Sequence, residues 1–498
     1  LSMGLRLYNT LNRKTEDFVP LADPVKIYTC GLTVQSEPHV GHIRAAMIRD
    51  ILMRWLSHLG YRVMALENFT DVDDKIIEKQ KEQKRDWRMI AQDNISTYLS
   101  ACDQLNITKA TFYPRASQHI EEIIALIQRL VDGGSAYEKK GDVYFRVRQF
   151  PDYGKLSGKS IDELVSGARI APTELKEDPL DFALWKAAKP GEPYWFSPWG
   201  KGRPGWHIEC SAMSMQYLGE TFDIHTGGED LIFPHHENEI AQSVAATGKP
   251  FARFWLHNGW VTLTGEKMSK STGHYSPIKE VLRKYSANVI RMFMLKTHYR
   301  KQLEYCCERL DEARAALASI ITFLDNVTQR HGEAKPIPEP QMLNEFTDAM
   351  NDDLNTSRAL SVIYELINRG YGVDEVKIAA SVKYYLLLLG FRQQVEVVIE
   401  PYRDVMKIVA EVEEKLNIAN KQKLLDSMKE WFYHRIIGIK HVDELYPKTI
   451  AFLLQMRNEL RKEKDYELAD YVRKRLLDNN IIVDDQGIDA STYRLEVK

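Results

Sequence analysis

Apolar residues dominate Val25–Cys30 and again Tyr61–Phe69, the pattern of strands buried on both faces. Between them, Arg44–Leu59 is amphipathic at helical spacing and stops at Gly60. Strand, loop, helix, strand is the unit of a doubly wound parallel sheet, so residues 22–75 predict an α/β domain. In such sheets ligands sit beyond the carboxyl ends of the strands, where Cys30, His39, Thr70 and Asp71 fall.

Residues 105–200 read as an insertion, with a helix over His119–Val131 and a hairpin at Lys139-Lys140-Gly141-Asp142. The Pro-, Gly- and aromatic-rich stretch Lys189–Gly205 fits no regular element. The α/β pattern resumes near Trp206 and runs to about Tyr299, with Phe254–Leu263 as one strand. Leu303–Gln329 predicts an amphipathic helix carrying Cys306 and Cys307, 331–340 a connector, and 341–395 further helices. From Pro401 the chain is helix-rich and charge-dense, ending in the strand-like pieces Ile481–Val483 and Tyr493–Val497.

With 498 residues, three or four domains are expected. A hydrophobic fraction of 44% and a charged fraction of 28% exclude a disordered or fibrous chain. No apolar run reaches the ~20 residues needed to cross a bilayer, so no membrane is expected. Five cysteines are too few for a disulfide scaffold, and a reducing cytoplasm is the default compartment. The start Leu1-Ser2-Met3 predicts a native first residue at Met3, and no secretory signal is expected. A net charge of −3 argues against wholesale coating of nucleic acid but not against a local basic face.

Two short motifs carry the first chemistry. His39-Val40-Gly41-His42 follows one strand, and Lys267-Met268-Ser269-Lys270-Ser271 follows another. Imidazoles and a glycine at a helix start can meet phosphates and adenine, and a loop with two lysines can stabilise charge on a triphosphate. Each motif alone has a plain reading, a helix cap or a solvated loop.

Cys30, Cys210, His235, His236 and Glu239 are candidate metal ligands, since zinc takes thiolate, imidazole and carboxylate. Pro234 reads as the first turn of a helix, which puts His235 and Glu239 at i and i+4 on one face, with Glu237 pointing away. His236 and Glu239 at i and i+3 are nearly as good, so spacing leaves the histidine open. Isolated cysteines are also commonly small core residues, the reading taken for Cys102. Asp71, Asp73 and Asp74 lack a calcium-loop glycine pattern and read as helix N-terminal capping.

Cys30–Val34, His39–His42, Asn68–Ile76, Gly205–Met213, Gly227–Leu231, Pro234–Glu239 and Lys267–Ser271 occur in the order found in cysteinyl-tRNA synthetases, which the chain resembles densely over residues 5–305. The resemblance implies a Rossmann-type catalytic domain over 1–305, a helical stem over 306–400 and an anticodon-binding domain over 401–498. It implies zinc on Cys30, Cys210, His235 and Glu239, which resolves the histidine. It places ATP, with Mg²⁺, on His39, Gly41, His42, Gly228, Asp230, Lys267 and Lys270. Gly31, Thr70, Trp206 and His225 would line the pocket for L-cysteine. His39, His42, Lys267 and Lys270 would be catalytic, and tRNA(Cys) the acceptor, with a monomer as the default state.

The sequence departs from the family's habit at Leu32, Gln35 and Ser36, where proline, tyrosine and aspartate are usual, at Thr226, where glycine is frequent, and over Ala287–Arg291, where Asp-Ala-Leu-Arg is usual. Basic residues near the end, Arg457, Arg461, Lys462, Lys464, Arg473, Lys474 and Arg475, alternate with acidic ones. They fit a tRNA-binding face or a salt-bridged helix surface. Two other functions compete: a cysteine ligase for a small amine, as in the mycothiol pathway, and a catalytically silent zinc-containing RNA-binding protein. The long helical tail disfavours the first, and the intact lysine motif disfavours the second.

Overall fold

The computed structural model describes residues 4–161, 163, 175–263, 266–267, 276–370, 374–392, isolated positions between 408 and 426, then 445–478, 481–485 and 491–495. They form two compact units, one of residues 1–278 with 289–391 and one of 279–288 with 392–498.

The first unit is built on four parallel strands: β1 (Val25–Thr33), β2 (Val63–Thr70), β3 (Phe222–Gly228) and β4 (Ala252–Asn258). Their spatial order is β4-β3-β1-β2. The βαβ reading holds: helix α1 (Val40–His58) carries the chain from β1 to β2. It starts earlier than expected, because His39 caps it. His39 Nδ1 accepts the N–H of Gly41 at 3.1 Å, and His42 Nδ1 accepts the N–H of His39 at 3.3 Å. Gly60 just beyond takes φ +92°, a conformation that a side chain disfavours.

α1 also carries buried charge. Arg44 donates to the carbonyls of Trp260, Tyr299 and Lys301. Asp50 accepts Arg54 at 2.8 Å, Arg291 at 2.7 Å and the N–H of Thr108 at 2.8 Å. Arg291 further donates to the carbonyls of Leu389, Leu105 and Asn106, so the altered segment Ala287–Arg291 keeps its anchoring guanidinium.

The insertion is a helix, Ile120–Asp132, against a five-stranded antiparallel sheet. Its hairpin turns at Lys140 and Gly141, both at positive φ, as a tight two-residue turn requires. The stretch Lys189–Gly205 is a correction: it supplies the last two strands, Trp195–Ser197 and Gly200–Pro204. Gly202, inside the second of them, lies against Trp185, whose indole nitrogen would stand 2.2 Å from a Cβ there.

Phe254–Leu263 is likewise two strands, β4 and Val261–Leu263. The break falls at Gly259, where a Cβ would lie 2.5 Å from the carbonyl oxygen of Lys301. The predicted helix from Leu303 begins at Cys307 instead, and Leu303–Glu304 pairs with Val261–Leu263. Cys306 therefore stands at the N-cap position without a side-chain cap, and Cys307 is exposed. Among the acidic residues after β2, Asp73 does cap a helix, accepting the N–H of Lys75 at 2.9 Å. Asp71 instead receives the N–H and hydroxyl of Ser117.

In the second unit, helices Leu445–Lys462 and Tyr466–Leu477 pack through Leu453, Leu460, Val472 and Leu476, and the terminal strands form a hairpin. Arg457 is buried there, not on a face. Arg475 is held by Glu411 at 2.7 Å and Lys462 by Glu459 at 2.9 Å, the salt-bridged alternative for those residues.

Candidate active site and metal cluster

β1 ends its regular pairing at Cys30. A register shift falls between Thr29 and Leu32, and Gly31 crosses so close to β2 that a Cβ would lie 1.7 Å from the carbonyl oxygen of Asn68. Asn68 returns a hydrogen bond, accepting the N–H of Gly31 at 2.8 Å. This bulge aims Cys30 at three other elements. Helix α2 (Trp206–Leu218) presents Cys210, a π-helical turn Ile232–His236 presents His235, and helix α3 (Glu237–Thr247) presents Glu239.

The four ligand atoms lie within 4.8 Å of one another, and all four residues are buried. Cys30 Sγ is 3.6 Å from Cys210 Sγ and 3.1 Å from His235 Nε2. His235 Nε2 is also 3.1 Å from Glu239 Oε1, a buried oxygen with no hydrogen-bond partner. Pro234 lies in the π-helical turn, with α3 beginning at Glu237, yet the i, i+4 pairing of His235 with Glu239 holds. Glu237 points away and accepts the N–H of Ser157 at 2.8 Å.

The electrostatics ask for a positive centre. Burial pushes the Cys210 thiol well above its ordinary pKa. The Cys210 hydrogen bond favours a Cys30 thiolate, but burial and the charge of Glu239 outweigh it and raise that thiol too. Burial would lower His235, yet Glu239 and Cys210 carry it up to about 10. Two sulfurs, one imidazole and one carboxylate around a single point are the donor set and number of a tetrahedral thiophilic metal.

An outer ring of imidazoles holds the ligands. His207 Nδ1 meets His235 Nδ1 at 2.8 Å, and His225 Nε2 meets Glu239 Oε2 at 2.9 Å. His236, the rejected alternative, turns to His257 at 2.8 Å, and His257 reaches Thr10 at 2.8 Å. Burial lowers the pKa of His207, His236 and His257, the last to about 3, so these rings are neutral. A second trio, His225, His236 and Glu239, also converges, sharing the carboxylate. Sequence reasoning missed His207 and His257; the Trp206-His207 and His235-His236 pairs were the available signal for such packing.

Above the cluster opens a cavity of about 310 Å³ at the carboxyl ends of the strands. Cys30, Gly31, His39, Gly41, His42, Trp206, Gly228 and Asp230 all line it. His39 and His42 stack at 3.7 Å, and Trp206 stacks on His235 at 4.3 Å. The two motif histidines therefore cap α1 and face the cavity at once. Thr70 and His225 do not line it: Thr70 donates to Glu209 at 2.9 Å, and His225 is buried against Trp255 and Glu239. Lys267 ends the short strand Glu266–Lys267, whose backbone pairs with Thr262 and Leu263, and Lys270 lies outside the described residues.

A family described as "tRNA synthetases class I (C) catalytic domain" matches residues 18–315, and one described as "DALR domain" matches 345–370. The chain is 43% identical to the cysteine–tRNA ligase of Thermodesulfovibrio yellowstonii, over 99% of this chain and all of that one. It is also 43% identical to that of Aquifex aeolicus, over 97% of each. The chain belongs to the cysteine–tRNA ligase family. It is a class I aminoacyl-tRNA synthetase that joins cysteine to tRNA(Cys). The fold of the family reaches far beyond recognisable sequence. A Mycobacterium tuberculosis methionyl-tRNA synthetase in complex with methionyl-adenylate superposes with a TM-score of 0.54 at 15% identity, covering 74% of this chain and 89% of that one. Against that ligase background the departures are absorbed locally. Thr226 donates its hydroxyl to Thr29 at 2.9 Å, and Leu32 and Gln35 become cavity wall.

Proposed function

We propose that the cavity activates L-cysteine with ATP and that Cys30, Cys210, His235 and Glu239 hold Zn²⁺ for selecting the substrate. The observation that carries this reading is the convergence of Cys210, His235 and Glu239 on Cys30, which lines the cavity together with His39, Gly41 and His42. Cysteine and serine differ by one atom, and an apolar pocket separates such isosteres only roughly 100-fold. Bound zinc supplies a soft contact that lowers a thiol pKa and that an alcohol cannot match at neutral pH.

The chain's own residues do the rest. His39 and His42, at the amino end of α1, meet the phosphates, with Mg²⁺ accompanying the ATP. Gly228 and Asp230 hold the adenosine. Gly31 and Trp206 wall the amino acid, and Thr70 and His225 support that wall from behind. Lys267 and Lys270 stabilise charge as the cysteine carboxylate displaces pyrophosphate from the α-phosphate. A terminal ribose hydroxyl of tRNA then attacks the activated carbonyl and releases AMP. No protein nucleophile takes part, so catalysis is positioning and charge stabilisation.

We further assign residues 1–305 to the catalytic domain, 306–400 to a helical stem and 401–498 to anticodon binding, in a cytoplasmic monomer. No described helix is long and apolar enough to cross a membrane. The test is ATP–pyrophosphate exchange with cysteine and serine side by side. Exchange with serine at a rate within about tenfold of cysteine would overturn selection by thiolate, since that is weaker than an apolar pocket alone provides.

A further inference from the structure

The first unit has a second opening, a polar cleft of about 720 Å³ between residues 296–301 and the start of the helix Thr356–Gly370. Its volume falls in the range of small-ligand sites, roughly 300–1,000 Å³. Four cations line it, Lys296, Arg300, Lys301 and Arg358, against two carboxylates, Asp352 and Asp353. Asp353 is buried and already committed. It accepts the N–H of Tyr8 at 2.8 Å, the hydroxyl of Tyr299 at 2.7 Å and Arg300 Nε at 2.6 Å. Arg300 also lies over the Tyr8 ring, with Cζ 4.3 Å from its centroid. Arg300 and Asp353 therefore neutralise each other and form a fixed wall. Lys296, Lys301 and Arg358 form no ion pair among the described residues, so their charge is left to the cleft.

The backbone around these cations is held in advance of any ligand. The carbonyls of Tyr299 and Lys301 accept Arg44, and that of Tyr299 also accepts the N–H of Gly259 at 2.9 Å. Thr356 donates its hydroxyl to the carbonyl of Leu295 at 2.8 Å, which ties the helix start to the segment that carries the lysines. A site formed beforehand binds without a further ordering cost. Thr15, Thr297 and Ser357 add hydroxyls to the same lining. Guanidinium, ammonium and hydroxyl donors together are the composition of phosphate sites, where arginine grips two oxygens and lysine acts as a point charge. Three separate cations call for a ligand with several negative charges. A concave opening with Asp352 on its wall favours a compact one, because a long backbone would carry a phosphate past that carboxylate.

We infer that the cleft of Lys296, Lys301 and Arg358 binds a compact polyphosphate, either inorganic or the tail of a nucleotide. None of its lining residues lines the cavity beside the metal cluster, so the two sites are separate. The inference is independent of the chemistry assigned to that cavity.

Titration calorimetry on the full-length protein tests it, in magnesium-free buffer, with inorganic tripolyphosphate and with GTP, a nucleotide outside the ligase reaction. The Lys296→Gln/Lys301→Gln/Arg358→Gln variant should weaken binding of both probes at least about tenfold, the scale of one charge-assisted hydrogen bond. Its cysteine-dependent ATP–pyrophosphate exchange should stay normal. Asp352→Asn tests the same charge from the opposite side. It should tighten tripolyphosphate binding about fivefold, the effect of one charge a few ångströms away in water. Unchanged or weaker binding there would overturn the inference even if the triple variant failed to fold. Lys270→Ala should bind tripolyphosphate as the parent does. Loss in that variant with retention in the triple variant would place the anion in the other cavity and refute the cleft. Tighter binding of GTP than of tripolyphosphate would identify a nucleotide as the ligand, and equal or weaker binding an inorganic polyphosphate. Failure of both probes to bind the parent, with a raised KM for tRNA in the triple variant, would give the cleft to a nucleic-acid backbone and overturn the inference.

Discussion

Cys30 and Cys210, 180 residues apart in the chain, bring their sulfur atoms to 3.6 Å inside a fully buried pocket. Such an approach of two thiols, joined by His235 and Glu239, fits the proposed metal site. Replacing Cys210 with Ser should abolish stoichiometric zinc, measured by elemental analysis of the purified protein. Cysteine-dependent exchange should fall at least about 100-fold, because outer groups cannot substitute for a lost ligand. Full zinc content in the variant would contradict the ligand assignment.

Gly31 is required by the crossing of two backbones. A methyl group there would collide with the Asn68 carbonyl at 1.7 Å, and backbone cannot yield as a side chain can. Gly31→Ala should destabilise the protein by about 3 kcal/mol, the upper range for overpacking, and weaken metal retention along with it. Thermal unfolding and zinc content read the two effects. Stability equal to the parent would remove the close approach from the account.

Asp50 supplies a pH dependence. Burial alone would raise its pKa, but Arg291, Arg54 and the N–H of Thr108 outweigh that and hold it below its ordinary value. A depressed carboxylate contributes stability that is complete above its ordinary value of about 4 and lost as pH falls through the lower folded value. Asp50→Asn should cost about 3 kcal/mol at neutral pH by leaving Arg291 buried and underpaired. The difference between parent and variant should shrink as the solution is acidified. Denaturant titrations across that range decide it, and a difference that grows on acidification would reverse the sign argued here.

Lys270 belongs to the lysine motif rather than to any geometry described above. Lys270→Ala should lower the rate of cysteinyl-adenylate formation about 100-fold, the ~3 kcal/mol of one preorganised charge contact in a transition state. Pre-steady-state activation kinetics measure it, and a normal rate would exclude the residue from the chemistry.

Removing residues 401–498 should leave cysteine activation intact and cripple charging of tRNA, because the proposed adenylate site lies in the parallel-sheet unit. Parallel assays of exchange and charging on the truncated chain test the division. Unimpaired charging would deny the tail its role.

Much of the site was legible in the chain. The βαβ order placed Cys30 and His39 at a strand's carboxyl end, and spacing offered His235 or His236 with Glu239, of which His235 makes the 3.1 Å approach. Other elements depend on distant partners. Lys189–Gly205 reads as irregular because its glycines and prolines carry no alternation, and pairing with Phe182–Ala187 and Trp195–Ser197 makes Gly200–Pro204 a strand. Gly259 interrupts an apolar run because the backbone at Lys301 passes beside it. Arg457 sits beside Asn458 and Glu459 in a charge-dense stretch yet is buried, since helix packing sets its exposure.

The sequence by itself therefore determined the parallel-sheet class, because periodicity is a local property that survives without coordinates, and its ordered motifs carried the family and the candidate ligands. Tertiary structure decided the ring of His207, His225, His236 and His257 behind the ligands and the bulge at Gly31. Each of those depends on hydrogen bonds or packing between segments far apart in the chain. Such contacts become definite only when the chain closes on itself.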